Sequence, residues 1–263
     1  MRRFNKLAQV RAEGRVAFGT FIQLNSPETC EIAARSGLDF VIIDMEHGSF
    51  GIEATVNLIR AAESSHATPV VRIDEFRRST VLKVLDAGAV GVLVPNVESA
   101  SQLREVVSAT RYAPDGLRGA CPCVRASDHG LVPWAEHTRW CEENILVMAL
   151  VETAHGLAKF DEIVSVPGLD VVAVGQFDLS VSMGYGGQHD HPDVLSRQAA
   201  MIAQARASGV AVLGVVFETD PVKAKQGVDR WKRLGAELIA VSGDRFALAS
   251  AFSTLAQKLG FVR

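Results

Sequence analysis

The sequence predicts an α/β protein built as a single (β/α)8 barrel, and three observations predict it. Short runs rich in Val, Ile, Phe and Leu alternate with longer segments of helical period, the pattern of parallel strands buried on both faces and joined by crossover helices. Eight such runs fall within 263 residues, the usual size of this barrel, whereas a doubly wound open sheet more often uses five or six strands. No linker, low-complexity tract or charge block divides the chain, so residues 1–263 read as one domain.

Taken in order, the strands are expected at Ala17–Leu24, Phe40–Ile43, Pro69–Arg72, Gly91–Val94, Leu146–Val151, Val171–Val174, Val212–Val216 and Leu238–Val241. Ser26-Pro27 opens the first crossover helix, and Ser99 with Gln102 forms a capping box on the fourth, whose Leu103, Val106, Val107 and Thr110 share one face. Gly37, Gly88, Gly209 and Gly235 each stop a helix just ahead of a strand, where a left-handed residue reverses the chain cheaply. The stretch from Ala113 to Glu143, punctuated by Pro114, Gly116, Gly119, Pro122 and Pro133, reads as a loop excursion between units four and five, of a kind that often carries function. Lys223, Lys225, Arg230, Lys232 and Arg233 read as the solvated face of one helix.

Composition narrows the partners. With 48% hydrophobic and 22% charged residues the chain is ordinary globular protein, and 27 basic against 30 acidic residues give no electrostatic reason to expect nucleic acid or an anionic membrane. Small molecules become the default ligand. No apolar run reaches the ~18–20 residues that span a bilayer, and Met1-Arg2-Arg3-Phe4-Asn5-Lys6 is not followed by a signal-peptide core, so a cytoplasmic address is expected. Cys30, Cys121, Cys123 and Cys141 read as free thiols, because Cys-x-Cys lacks the second pair of a structural zinc site.

A barrel of this type places its chemistry at the C-terminal ends of its strands, and those ends are polar here. Asp44-Met45-Glu46-His47-Gly48 follows the second strand, Arg72 ends the third, Glu152 follows the fifth, Gly175-Gln176-Phe177-Asp178 the sixth and Ser242-Gly243-Asp244 the eighth. Glu152 and Asp178 could converge on a divalent cation, and hard oxygen ligands suit Mg²⁺ or Mn²⁺, with Co²⁺ admissible, better than Zn²⁺. A 2-keto acid could complete the shell. Arg72 can stabilise a developing enolate oxygen, with an internal ion pair to Asp44 or Glu46 as the plain alternative. His47 is placed to move a proton near neutral pH, the alternative being a hydrogen-bonded loop histidine. His189 and His191 lie in a Gly-rich loop and make a weak metal pair.

Absent motifs discriminate as well. There is no G-x-G-x-x-G, Walker A loop, G-x-S-x-G elbow or H-E-x-x-H helix, and none of the seven lysines falls at a strand end where a Schiff base would form.

With these residues in view, the chain resembles the HpcH/HpaI family of metal-dependent class II pyruvate aldolases over nearly its whole length. The resemblance rests on Gly37 through Gly48, Leu85-Asp86-Ala87-Gly88-Ala89, Arg111-Tyr112-Ala113-Pro114-Asp115-Gly116-Leu117-Arg118-Gly119, Val151-Glu152-Thr153, Val166 through Asp170, and Gly175 through Ser180. It implies a phosphoenolpyruvate/pyruvate-type barrel that exchanges its last helix with a neighbour and assembles as homotrimers or homohexamers. It implies metal ligands at Glu152 and Asp178, an enolate-stabilising Arg72 and a catalytic His47. It adds Asp86 as the carboxylate orienting His47, Asp44 and Glu46 as support, and the backbone amides around Phe177 and Asp178 as holders of the pyruvate carboxylate. Two departures touch the site: Leu150 stands where many members have Gln, and Gly175-Gln176 where many have Gly-Pro. The expected reaction is reversible cleavage of a 4-hydroxy-2-keto acid, sugar-derived or dicarboxylic, to pyruvate and an aldehyde. The rivals are a citryl-CoA lyase-like enzyme, for which no basic entry channel is evident, and a scaffold that binds pyruvate and metal without chemistry.

Overall fold

β-branched and aliphatic runs pair in parallel and close on themselves in sequence order: β1 (Ala17–Ile22), β2 (Phe40–Asp44), β3 (Thr68–Arg72), β4 (Gly91–Val94), β5 (Leu146–Val151), β6 (Val171–Val174), β7 (Ala211–Val216) and β8 (Leu238–Gly243). The structure, a computed structural model, describes residues 5–261. Its helices are α1 (Lys6–Ala12), α2 (Pro27–Arg35), α3 (Ile52–Ser64), α4 (Arg78–Ala87), α5 (Ala100–Thr110), α6 (Trp134–Asn144), α7 (Ala154–Ala158), α8 (Phe160–Val164), α9 (Gln176–Ser182), α10 (Pro192–Ala207), α11 (Pro221–Leu234) and α12 (Asp244–Lys258). The expected barrel is the one found.

Alternation along each strand builds two cores. Phe21, Ile42, Val70, Leu93, Met148, Leu150, Ala173, Leu213 and Ala240 fill the barrel interior, while Val41, Ile43, Val71, Val92, Val147, Val172 and Ile239 pack outward under the helices. This period of two also decides where function can sit. Phe40 and Ile42 are followed on the inward face by Asp44, Val70 by Arg72, and Met148 and Leu150 by Glu152, so the apolar layers give way to charge at the C-terminal rim.

All four glycines expected to stop helices have positive φ: Gly37 at 97°, Gly88 at 115°, Gly209 at 75° and Gly235 at 89°. Ser99 accepts from the Gln102 amide at 3.2 Å, and the Gln102 side chain reaches back to the Glu98 N–H at 3.0 Å. β1 ends at Ile22 and not at Leu24, because Asp244 accepts the N–H groups of Gln23 and Leu24 at 2.9 and 3.0 Å and draws the chain off the ladder.

Two expectations need correction. α1 has no counterpart among the expected helices; capped by Asn5, it lays Leu7 and Val10 across the N-terminal mouth of the barrel, and its Leu7 N–H donates to Thr68 Oγ1 at 3.2 Å. The excursion from Ala113 to Glu143 is not wholly loop, since it holds a short 3-10 turn at Arg125–Gly130 and most of α6. Because it joins the end of α5 to the start of β5, it lies at the N-terminal face, away from the strand ends where chemistry was expected.

None of the four cysteines forms a disulfide, Cys30 and Cys141 being buried and Cys121 and Cys123 exposed. Among the described residues no helix is long and apolar enough to cross a membrane. α12 buries none of its residues and leaves Phe246, Leu248, Phe252 and Leu255 exposed.

Candidate active site

Parallel register places Asp44 beside Arg72 at the ends of β2 and β3. The guanidinium grips the carboxylate with both arms, Nε donating to Oδ1 at 2.8 Å and Nη2 to Oδ2 at 2.6 Å. Asp44 also accepts from Gln23 Nε2 at 2.8 Å and from the Glu46 and His47 amides at 3.2 Å each. Burial pushes the Asp44 carboxyl upward, but Arg72 and these donors outweigh it and hold the group below the usual carboxylate range. Asp44 therefore fixes both the arginine and the turn carrying Glu46 and His47. Sequence reading missed Gln23, whose position one residue past a strand end is its only signal.

Arg72 is 8% exposed, stacks over Phe21 at 5.2 Å, and brings Nη1 to 3.1 Å from Glu46 Oε2. The ion pairs read from sequence as the plain alternative for this arginine are present, with Asp44 and with Glu46. The Glu46 Oε2 atom is buried and lacks a hydrogen bond of good geometry, and burial raises the Glu46 carboxyl above its ordinary value.

Glu152 follows β5 and is 5% exposed; its Oε1 accepts from the Asn96 N–H at 3.0 Å. Asn96 reaches that position at φ 51°, a left-handed conformation that asparagine tolerates better than most residues. On its other side Glu152 needs Gly175: a Cβ there would lie 2.6 Å from Glu152 Oε2 and 2.7 Å from its Cβ. Burial pushes the Glu152 carboxyl up to about 7; the Asn96 N–H opposes this, and the charges of Asp178 and Glu46 add to it. Asp178 projects from the first turn of α9 and is exposed.

A buried carboxylate with two like charges acting on it is what a hard divalent cation would relieve. The residues present fit such an ion. Among the described residues no group of three or more His, Cys, Asp or Glu converges as a metal cage.

The imidazole of His47 is exposed at this rim, next to Glu46. Asp86 does not meet it within the chain. It stands in the last turn of α4, about 12 Å down the helix from the rim by the rise per residue, and accepts from Arg118 Nη2 at 2.8 Å. The pairing of His47 with Asp86 expected from the resemblance is absent from a single copy, because α4 has already run to the N-terminal face. Phe177 is exposed in the α9 turn. His191 stacks on Tyr185 and caps α10 through the Asp193 N–H, which accounts for it without a metal.

The family model described as HpcH/HpaI aldolase/citrate lyase matches residues 17–248. A 4-hydroxy-2-oxo-heptane-1,7-dioate aldolase of Escherichia coli is 33% identical over 248 residues, covering 94% of this chain and 92% of that protein. A hydroxypyruvate/pyruvate aldolase of Agrobacterium fabrum is 32% identical, covering 93% of this chain and 90% of that protein. The crystal structure of an HpcH/HpaI aldolase from Desulfitobacterium hafniense superposes with a TM-score of 0.89 at 30% identity, over 98% of this chain and 97% of that one. Barrel, rim and relatives agree, and the chain belongs to the HpcH/HpaI aldolase/citrate lyase family of carbon–carbon lyases.

Proposed function

We propose that this enzyme reversibly cleaves a 4-hydroxy-2-keto acid to pyruvate and an aldehyde through a pyruvate enolate. The observation that carries the reading is the buried Glu152 carboxylate held near neutrality beside Asp178, Glu46 and the Asp44-clamped Arg72. The 33% and 32% identical relatives, both named as aldolases of oxo acids, support it.

Glu152 and Asp178 would hold Mg²⁺ or Mn²⁺. Bound there, the ion supplies Lewis acidity that polarises the keto group and stabilises negative charge. The remaining steps belong to the chain. His47 takes the proton of the C4 hydroxyl, the C3–C4 bond breaks, its electron pair passes into the C2–C3 enolate, and the aldehyde leaves. Arg72 Nη1 donates to the enolate oxygen, and Asp44 keeps the guanidinium from swinging away. Amides of the α9 turn around Phe177 and Asp178 hold the keto-acid carboxylate. Protonation at C3 releases pyruvate.

The apolar face of α12 is proposed to be covered by a neighbouring copy in a homotrimer or homohexamer, and Asp86 could then reach His47 only from another copy. The test of the reaction needs no natural substrate. Methyl-proton exchange of pyruvate in D₂O, followed by NMR, should proceed with Mg²⁺ or Mn²⁺ and stop on chelation; no exchange with either ion would overturn the reading. Borohydride with pyruvate should leave every lysine unmodified.

A further inference from the structure

α9 is short, and its first residue is Gln176, where the resemblance would place a proline. Proline at that position presets φ for a helix and gives up no intrahelical hydrogen bond. Glutamine has no such restraint. Its side chain instead enters a part-buried chain of hydrogen bonds: Gln198 Nε2 of α10 donates to Gln176 Oε1 at 2.9 Å, and Arg230 Nη2 of α11 donates to Gln198 Oε1 at 2.5 Å. The direction of this chain is fixed by chemistry, since a guanidinium only donates, so Gln198 must turn its oxygen to Arg230 and its amide protons to Gln176. Gln198 is fully buried in α10, where a polar side chain without partners would be costly. Arg230 belongs to the basic run read from sequence as solvated, yet it is half-buried and lies over the Trp231 ring at 5.8 Å. Trp231 in turn donates from Nε1 to the Val215 carbonyl at 2.9 Å, which ties α11 to the barrel wall.

We propose that Gln198 and Arg230 are positioning residues for Asp178, setting the first turn of α9 through Gln176 and so doing with tertiary hydrogen bonds what a proline ring would do covalently. The proposal rests on reading Asp178 as a cation ligand. Outer-shell partners of a metal ligand typically change affinity by 10–100-fold, and this chain, one residue further out, is expected at the lower end.

The experiment compares wild type, Gln198→Leu and the double variant Gln176→Pro/Gln198→Leu in the full chain, by amide hydrogen exchange of residues 176–182 and by Mn²⁺ titration followed by electron paramagnetic resonance. In Gln198→Leu, exchange in α9 should quicken by about tenfold and Mn²⁺ affinity should fall by about tenfold. The added proline should return both to within about twofold of wild type. Gly175, at φ −74° and ψ 82°, lies outside the helical region that a following proline forbids. A merely structural loss within α10 at Gln198 would not be rescued by a ring at the start of α9, 22 residues away in sequence. Should Gln198→Leu fail to fold, Arg230→Met cuts only the outer link and should move both readouts the same way by about threefold. Unchanged α9 exchange in whichever variant folds, or loss of Mn²⁺ affinity that proline leaves in place, overturns the proposal. If wild type itself binds no Mn²⁺, the cation reading of Asp178 falls, and amide exchange in α9 still decides the relay.

Discussion

At the N-terminal end of the barrel Asp39 lies between the fork of Arg15, donating at 2.9 and 3.0 Å, the Lys6 ammonium at 3.3 Å and the Phe18 N–H at 3.0 Å. At the C-terminal end Glu152, equally buried, has one amide donor and two carboxylates acting on it. Burial pushes both groups upward, yet the cations around Asp39 reverse the shift and hold it below its ordinary value, while Glu152 rises to about 7. The barrel thus carries, just before β2, a carboxylate compensated by cations of the chain and, just after β5 at the opposite end, one that accepts only a single amide hydrogen bond. Charge that the protein itself neutralises is structure; charge it leaves unbalanced in a mouth marks the site.

Glu152→Gln gives the sharpest contrast. Its kcat/KM should fall by about 10³-fold, the scale of losing a central electrostatic element, and Mn²⁺ binding should go with it. Because the change also removes a charge from a buried position, the urea midpoint of the metal-free protein at pH 8 should be no lower than that of wild type. A large loss of stability would show that Glu152 is a structural carboxylate like Asp39, and the comparison would collapse.

Asp39→Asn should behave in the opposite sense, costing about 2–3 kcal/mol of stability at pH 7 by breaking charge-assisted hydrogen bonds, with kcat of the folded fraction unchanged. The folded pKa of Asp39 is lowered, so its contribution is complete above the unfolded value and is lost as the pH falls through the folded one. Denaturation midpoints of wild type and variant should therefore differ at pH 7, and the difference should narrow as the pH falls below the ordinary carboxylate range. A difference that does not narrow as Asp39 is protonated would show that packing, and not ionisation, carries the effect.

These contrasts also show what the chain disclosed before its structure. The strands, the four helix-stopping glycines and the rim residues Asp44, Glu46, His47, Arg72, Glu152 and Asp178 were legible because strand period and strand-end position are local properties. α1 was not, since seven residues with only Leu7 and Val10 buried give too little period to recognise. α6 was masked by Pro133 and by a polar sequence that buries only His137 and Cys141. The place of Asp86 could have been found: a residue just ahead of β4 must lie at the end of the barrel opposite to strand ends. Gly175 and the Gln198 relay depend on neighbours remote in sequence, and no spacing signals them.

Two glycines carry the comparison to a smaller scale. Gly14, near the N-terminal mouth, has φ 67° and open space around an added Cβ, so Gly14→Ala should cost about 1 kcal/mol through backbone strain and leave Mn²⁺ affinity alone. Gly175 has an ordinary φ of −74° but no room, and Gly175→Ala should displace the Glu152 carboxylate and weaken Mn²⁺ binding by roughly 10–100-fold with little change in melting temperature. If both variants lose only stability, Gly175 serves the fold and not the site.

The smallest effect is expected in the choice of aldehyde. Metal, Arg72 and the α9 amides are all assigned to the pyruvate half, and apolar groups lie close by: Phe217 stacks on Phe21 at 5.8 Å, and Leu150 lies one inward layer below Glu152. The rim arginines are engaged, Arg77 with Glu75 and Arg245 with the His47 carbonyl and Ser49 Oγ. A pocket that offers apolar contact without a dedicated polar partner separates substrates by only about 1–3 kcal/mol. Glycolaldehyde, glyceraldehyde and succinic semialdehyde should therefore be accepted with pyruvate at kcat/KM values within about two orders of magnitude. Phe217→Ala, which removes one aromatic wall, should shift their ratios by about tenfold or less. A preference of about 10⁴ for one aldehyde, or its abolition by Phe217→Ala, would reveal a recognition group on the aldehyde side as exacting as the one gripping pyruvate.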